Sequence, residues 1–300
     1  MNQGSVTPEI ILSWLLKDKW KILIAAIVFG GISIWVALSI PNQYTSSTVV
    51  SSNFNEQGGK GALSKLGGLA SLAGISVGKS NYSPEVLKEI ISSNSFLAFF
   101  IRQNKLEKIV MAAEGFNAEN NSFIYNDKIY NVELNKWVRK FKYPQKLEPA
   151  DIELVKKFKE SFSISYDRKT ELVKINFKSY SPTFAKSTLE AIIVTFNEFM
   201  RKQELESNTQ SLEYLKTQLA SAKYSEVKLS LQQIMEEQYK NLALANTRKE
   251  FAFKTIEAPL LPVLKSEPKR AIVCIAITFA GVFLVSLSLL TIRILRSNNK

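Results

Sequence analysis

Two uncharged apolar runs, residues 22–40 and 271–292, lie near opposite ends of this 300-residue chain and enclose a long stretch of ordinary water-soluble composition. At about 1.5 Å per helical residue the runs reach about 28 and 33 Å, enough to cross a hydrocarbon core of about 30 Å. Both are expected to be transmembrane helices. A cleaved signal peptide is the alternative for the first run, because Lys17, Lys19 and Lys21 precede it and Ala37 and Ser39 supply small residues. Against that, the run is longer than an h-region, carries Trp35, and meets Pro41 where a peptidase would need access. A buried core helix is the alternative for the second run. A charge-free run of this length, flanked by Lys269 and Arg270 on one side and Arg293 and Arg296 on the other, exceeds that pattern.

Basic residues set the expected orientation. Lysines stand just before the first run, and no lysine or arginine follows it until Lys60. The reading is a cytoplasmic N-terminus (1–21), a first span (22–40), an extracytoplasmic domain (41–270), a second span (271–292) and a cytoplasmic tail (293–300). Lys265, Lys269 and Arg270 fall on the far side and weaken this orientation without reversing it.

Composition narrows the chemistry. Residues 41–270 hold 33 basic and 25 acidic residues, a net charge of +8 within the chain's +12. Such a field can attract anionic headgroups or an acidic polysaccharide, although dispersed lysines also suit a plain solvated surface. The sole cysteine, Cys274, lies inside the second apolar run, and histidine is absent. No intrachain disulfide, Ser-His-Asp or Cys-His nucleophile, or ordinary zinc site can be built. No catalytic residue, cofactor or metal site is assigned, no nucleic-acid partner is expected, and the chain does not read as an enzyme.

Between the spans, Tyr44 to Ser52 is rich in β-branched and hydroxyl residues and reads as a strand. A glycine-rich loop (58–78) follows. Ser83-Pro84-Glu85 opens a helix that Val86, Ile90, Leu97 and Ile101 continue to about Gln103. Residues 104–147 give no assignable pattern, and 148–160 reads as helix. Phe162, Ile164 and Tyr166, then Val173, Ile175 and Phe177, alternate with polar residues across a short turn, the pattern of a β-hairpin. Ser181-Pro182 starts a further helix whose stripe of Ala185, Leu189, Ile192, Ile193, Phe196, Phe199 and Met200 suits a sheet face. Helical character then runs to about Glu250. Leu205, Leu212 and Leu219 recur at seven, and Val227, Leu231, Ile234, Leu242 and Ala245 form a second stripe. A hairpin reversing near Lys223 and a single kinked helix fit these stripes equally. Phe251 to Ala258 alternates as a returning strand. The expected architecture is an α/β (α+β) base with a long protruding helical arm, 181–250, between two transmembrane helices.

The string Ala73-Gly74-Ile75-Ser76-Val77-Gly78-Lys79-Ser80 meets a relaxed phosphate-loop pattern but lacks the preceding buried strand and the following helix, and is rejected. Ala26 and Gly30, and Ala276 and Ala280, carry the four-residue small spacing that permits close helix approach. The most specific segment is Pro259-Leu260-Leu261-Pro262-Val263-Leu264-Lys265-Ser266-Glu267-Pro268-Lys269-Arg270, with Gly281 following inside the second run. Its prolines make a stiff connector that fixes distance and angle.

This segment resembles the proline-rich motif of the Wzz-type chain-length determinants, or polysaccharide co-polymerases. Residues 9–40, the strand opening Tyr44-Thr45-Ser46-Ser47, and the stretch Tyr214 to Leu219 are similar to that family as well. One departure is Glu267 before the third proline, where the family often has serine; Ser266 is one place back. The resemblance implies Pro259, Pro262, Pro268, Lys269, Arg270 and Gly281 as motif residues. It also implies a bacterial inner-membrane protein with a periplasmic domain that assembles as a ring-like homo-oligomer. Such a protein sets O-antigen-type polysaccharide length beside a separate membrane-bound polymerase and its lipid-linked glycan. The alternative is a non-catalytic subunit of a capsule or exopolysaccharide exporter working with a separate tyrosine kinase.

Overall fold

The computed structural model describes residues 18–54 and 82–298. The expected glycine-rich loop and the rejected phosphate-loop string lie outside these residues. The chain divides into two compact units, one of residues 44–263 and one of the two ends, 1–43 and 264–300.

In the end unit, α1 (Lys19–Ser39) is followed in sequence by the larger unit, and the C-terminal helix runs Arg270–Asn298. Candidate spans Lys19–Ser39 and Arg270–Ile292 have mean hydropathies of 2.4 and 2.6, so both helices are long and apolar enough to cross a membrane.

The larger unit is built on a four-stranded antiparallel sheet in the order β6-β7-β1-β8: β1 is Tyr44–Ser52, β6 Phe162–Asp167, β7 Leu172–Ser179 and β8 Phe253–Glu257. The expected hairpin is β6-β7. Its turn is drawn in by Asp167, whose Oδ1 accepts from Lys169 N (2.8 Å), and uses Glu171 in the left-handed region (φ 56). Strand β1 buries alternate residues Ser46, Thr48, Val50 and Ser52. Its hydroxyls have a reason to be there. The β1–β8 register shifts between Val49 and Val50, and Thr48 Oγ1 donates to Glu257 O (2.7 Å) while Ser46 Oγ donates to Leu260 O (2.8 Å). Carbonyls that leave the ladder are thus satisfied inside the fold.

Helices cover the sheet. The expected single helix from Pro84 to Gln103 is two, α2 (Pro84–Ile91) and α3 (Asn94–Gln103). Each has its own serine cap: Ser83 accepts from Val86 N and Ser93 from Phe96 N. Ile90 and Leu97 are seven apart across the break, so one helix or two give the same apolar pattern. The buried face is Leu87, Ile91, Phe96, Leu97, Phe100 and Ile101, with Val86 exposed.

Residues that show no pattern in the sequence form α4 (Glu107–Ala112) and two small hairpins, β2 (Ala113–Asn117) with β3 (Ser122–Tyr125) and β4 (Tyr130–Asn131) with β5 (Lys136–Trp137). Their strands are too short to show a period. Helix α5 (Asp151–Lys159) begins later than expected, after an extended Ala150.

Helix α6 (Pro182–Ser221), capped by Ser181 on Phe184 N, lays its expected stripe on β1 and β7. Ala185, Leu189, Ile192, Phe196 and Met200 are fully buried. The open choice beyond it resolves as a helical hairpin: α6 stops at Ser221, Ala222 to Tyr224 turn, and α7 (Ser225–Thr247) packs back on α6. Leu212, Leu215, Asn208 and Gln238 are buried there.

One ion pair holds the approach to α5. Arg139 donates through Nη1 to Glu153 Oε1 (3.1 Å) and Nη2 to Oε2 (2.7 Å), and also to the carbonyls of Leu147 and Lys146. Glu153 Oε2 in turn accepts from Ala150 N (3.0 Å), closing the helix start. Arg139's hydrogen bonds hold the Glu153 carboxyl below its ordinary range. A lowered folded value means stability that is present above the unfolded carboxylate pKa of about 4 and is lost as pH falls through the folded value. Arg139→Met is expected to lower stability at pH 7 by about 1–3 kcal/mol. Urea midpoints at pH 7 and pH 3 check this: the gap to wild type should narrow at pH 3 but not vanish, because the carbonyl bonds do not titrate.

Candidate functional site: the proline connector and the helix seam

Helix α8, the C-terminal helix, runs Arg270–Asn298. The proline segment is divided between the units. Pro259 and Pro262 lie near the end of the larger unit, and in the end unit Pro268 and Lys269 lead into α8, which begins at Arg270. After β8 leaves the sheet, Pro259 is buried beside the Ser46 and Leu260 hydrogen bond, and Pro262 is half-buried. Leu260, Leu261, Val263 and Leu264 are exposed. No helix forms before Arg270, as three fixed φ angles and three missing N–H donors dictate.

In the end unit the exit of α1 is tied to the entry of α8. Gln43 and Glu267 form an antiparallel bridge in which Gln43 N donates to Glu267 O (2.9 Å) and Ser266 N donates to Gln43 O (2.8 Å). Ser266 Oγ donates to the same carbonyl (3.1 Å), and Arg270 Nη2 donates to Asn42 Oδ1 (3.2 Å). Ser266 is therefore the residue that fastens the segment before Pro268 to Gln43, through both its backbone N–H and its hydroxyl. The Glu267–Pro268 peptide is cis, and Lys269 O accepts from Ile272 N and Val273 N to open the helix.

Helices α1 and α8 pack along a seam that differs from the expected one. Ala25, Ser33 and Ala37 are buried in α1, with Phe29 on the same face. Opposite them, Cys274 Sγ donates to Ser33 O (3.7 Å) and Thr278 Oγ1 donates to Ser33 Oγ (3.4 Å). Gly281 is buried, and a Cβ placed on it would overlap the Phe29 ring. Gly30 and the Ala276/Ala280 pair are not at the contact. A Cβ on Gly30 would meet nothing within 4 Å, and Ala276 and Ala280 are exposed. Small residues every four positions occur on more than one face of each helix. The seam is chosen instead by the bulk of Phe29 meeting the notch at Gly281.

Pro268, Lys269 and Arg270 are thus brought together with Asn42, Gln43 and Ser266, whereas Gly281 sits apart in the seam. Asn42 and Gln43 were not expected at the site, since they carry no signal in the sequence except adjacency to Pro41. Among the described residues there is no cluster of three or more His, Cys, Asp or Glu able to hold a metal ion.

Comparison with known proteins finds a similarity over one part of the chain. Residues 9–104 match the family model described as "Wzz: Chain length determinant protein". That match spans α1, β1, α2 and α3 and stops well before the proline segment. No curated protein sequence matches. Among solved structures, a full-length bacterial polysaccharide co-polymerase aligns at 12% identity over 96% of this chain and 98% of its own, with a TM-score of 0.39. A fragment of the co-polymerase WzzB from Salmonella Typhimurium aligns at 16% identity over 75% and 100%, with a TM-score of 0.33. A mutant of the Shigella flexneri lipopolysaccharide O-antigen chain-length regulator aligns at 10% identity over 75% and 100%, with a TM-score of 0.25. At scores below 0.5 none of the three establishes a shared fold.

Proposed function

We propose that this chain is a regulator of surface polysaccharide chain length, of the lipopolysaccharide O-antigen type. In this reading it is held in the bacterial inner membrane by α1 and α8, with both termini cytoplasmic and residues 41–270 periplasmic. The observation that carries the reading is the chain length determinant match over residues 9–104. The division of the chain into a domain and a pair of bilayer-length helices supports it.

The work assigned to the protein is mechanical, because a chain without histidine and with its sole cysteine in an apolar helix offers little for acid, base or nucleophile chemistry. Copies assemble through the protruding arm formed by α6 and α7 into a ring-like homo-oligomer beside a separate polymerase and its lipid-linked glycan. The connector from Pro259 to Arg270, pinned to Asn42 and Gln43, transmits position between domain and membrane helices.

Deleting the gene is expected to abolish the preferred length in the cell's lipopolysaccharide ladder. Pro262→Ala with Pro268→Ala is expected to shift that length with protein level unchanged. An unaltered ladder in the deletion strain, with loss of capsule or exopolysaccharide and a tyrosine kinase co-purifying with the chain, would replace this reading by the export one.

A further inference from the structure

The loop from β5 to α5 has a surface that the length-regulating reading leaves unused. Residues 136–147 read Lys-Trp-Val-Arg-Lys-Phe-Lys-Tyr-Pro-Gln-Lys-Leu, with five basic residues and no acid. Arg139 is engaged inside, on Glu153 and on the carbonyls of Lys146 and Leu147, so it fastens the two ends of the loop together. Gln145 N donates to Lys142 O (2.9 Å) and closes the tip. On this fixed frame Tyr143 is 97% exposed and Phe141 51%, with Val138 and Leu147 each 44% exposed. Lys136, Lys140, Lys142 and Lys146 are exposed, and none of them has an ion-pair partner among the described residues. Of the nearby acids, Asp151 is held by Arg102 and Glu153 by Arg139, leaving Glu133 and Glu148 at the two flanks.

A hydrogen-bonded loop that holds aromatic and aliphatic groups outward among unpaired lysines has the chemistry of an interfacial anchor. Rings enter the boundary between headgroups and acyl chains, lysine stems lie along it, and ammonium groups meet phosphate. We infer that this loop docks on a bilayer surface containing anionic phospholipid. An acidic polysaccharide would satisfy the same cations. It fits less well, because Val138 and Leu147 offer nothing to sugar hydroxyls and Gln145, the amide at the tip, accepts through Oε1 from Lys142 N. Two bilayer-length helices on the same chain keep a membrane at high effective concentration.

The inference rests on the membrane anchoring in the proposed function and not on the glycan role. The full chain, with Cys274→Ser and Tyr143→Cys carrying a polarity-sensitive fluorophore, is reconstituted into nanodiscs of phosphatidylcholine with or without phosphatidylglycerol. Co-elution with the disc scaffold tests anchoring separately. A blue-shifted emission is expected only with phosphatidylglycerol, and it should be lost at high salt and in a Lys140→Gln, Lys142→Gln, Lys146→Gln variant. A label at Leu229→Cys on α7, an exposed position, should not shift. Emission that matches this control in both lipids, or shifts equally in both, overturns the inference. A shift that appears only when soluble polygalacturonate is added overturns it in favour of an anionic glycan.

Discussion

Replacing Asn197 by leucine is expected to destabilise the larger unit by about 3–5 kcal/mol, well beyond the cost of losing an exposed hydrogen bond. Asn197 lies on the sheet-facing stripe of α6 and is buried. Its Oδ1 accepts from Ala252 N (2.7 Å) and Phe253 N (2.8 Å), and its Nδ2 donates to Phe253 O (3.0 Å). One amide thus supplies the backbone partners that β8 lacks where it enters the core. Phe251, Ala252 and Phe253 are buried at this point, and the Phe253 ring lies 5.1 Å from that of Phe196. Leucine fills the volume but strands two donors and an acceptor away from water, each costing about 1–3 kcal/mol. Aspartate keeps the acceptor, loses the donor and adds a buried charge, so it is expected to be no better. Asn246→Ala is the control: its Nδ2 donates only to Leu242 O on its own exposed helix face. The loss of trypsin resistance of the full chain in detergent with rising temperature measures the difference. Asn197→Leu should fall by on the order of 10 °C and Asn246→Ala by little. Equal midpoints would show that β8 finds other partners.

Asn197 also marks the limit of what a local pattern can carry. The stripe from Ala185 to Met200 identifies the face of α6 correctly because apolar residues recur at its period over many turns. The β6-β7 hairpin is legible because alternation and turn chemistry agree, β1 because its residues are β-branched and hydroxyl-bearing, and β8 because Phe251 to Ala258 alternates. A polar residue inside that stripe signals a buried partner, but the partner is more than fifty residues on, at Ala252 and Phe253. Local patterns carry no information about such pairing. Ser92-Ser93 and Ala222 to Tyr224 are hidden for a different reason. The first break keeps Ile90 and Leu97 seven apart, and no glycine or proline marks the second, so the apolar pattern alone supports one helix or two. At the candidate site, the prolines are legible because proline acts on its own backbone. Asn42 and Gln43 are not, because their role is to meet a strand more than two hundred residues away.

Gly281→Leu is expected to separate α1 from α8. In an apolar solvent two helices gain little from burying hydrocarbon against each other, and their association rests on close packing and a few polar contacts. Here the packing is a single interlock, the Phe29 ring in the space left by the absent side chain of Gly281. Even one methyl at Gly281 would overlap the ring, and leucine cannot be placed without displacing it. Overpacking of this kind costs about 1–3 kcal/mol, roughly a fivefold to more than hundredfold shift in a pairing equilibrium. The contacts of Ser33 with Cys274 and Thr278 lie within two turns of the clash and would be lost with it. Because Cys274 is the sole cysteine, Ser33→Cys supplies a clean reporter: oxidation or a short bifunctional maleimide should join the two helices within one chain. Adding Gly281→Leu should reduce that product severalfold or more, and adding Phe29→Ala to the double variant should restore much of it by reopening the space. Substituting Gly30, where a new Cβ meets nothing within 4 Å, should leave the product unchanged. If Gly30→Leu proved disruptive and Gly281→Leu harmless, the helices would meet through the face first expected from their small residues, and the interlock would be wrong.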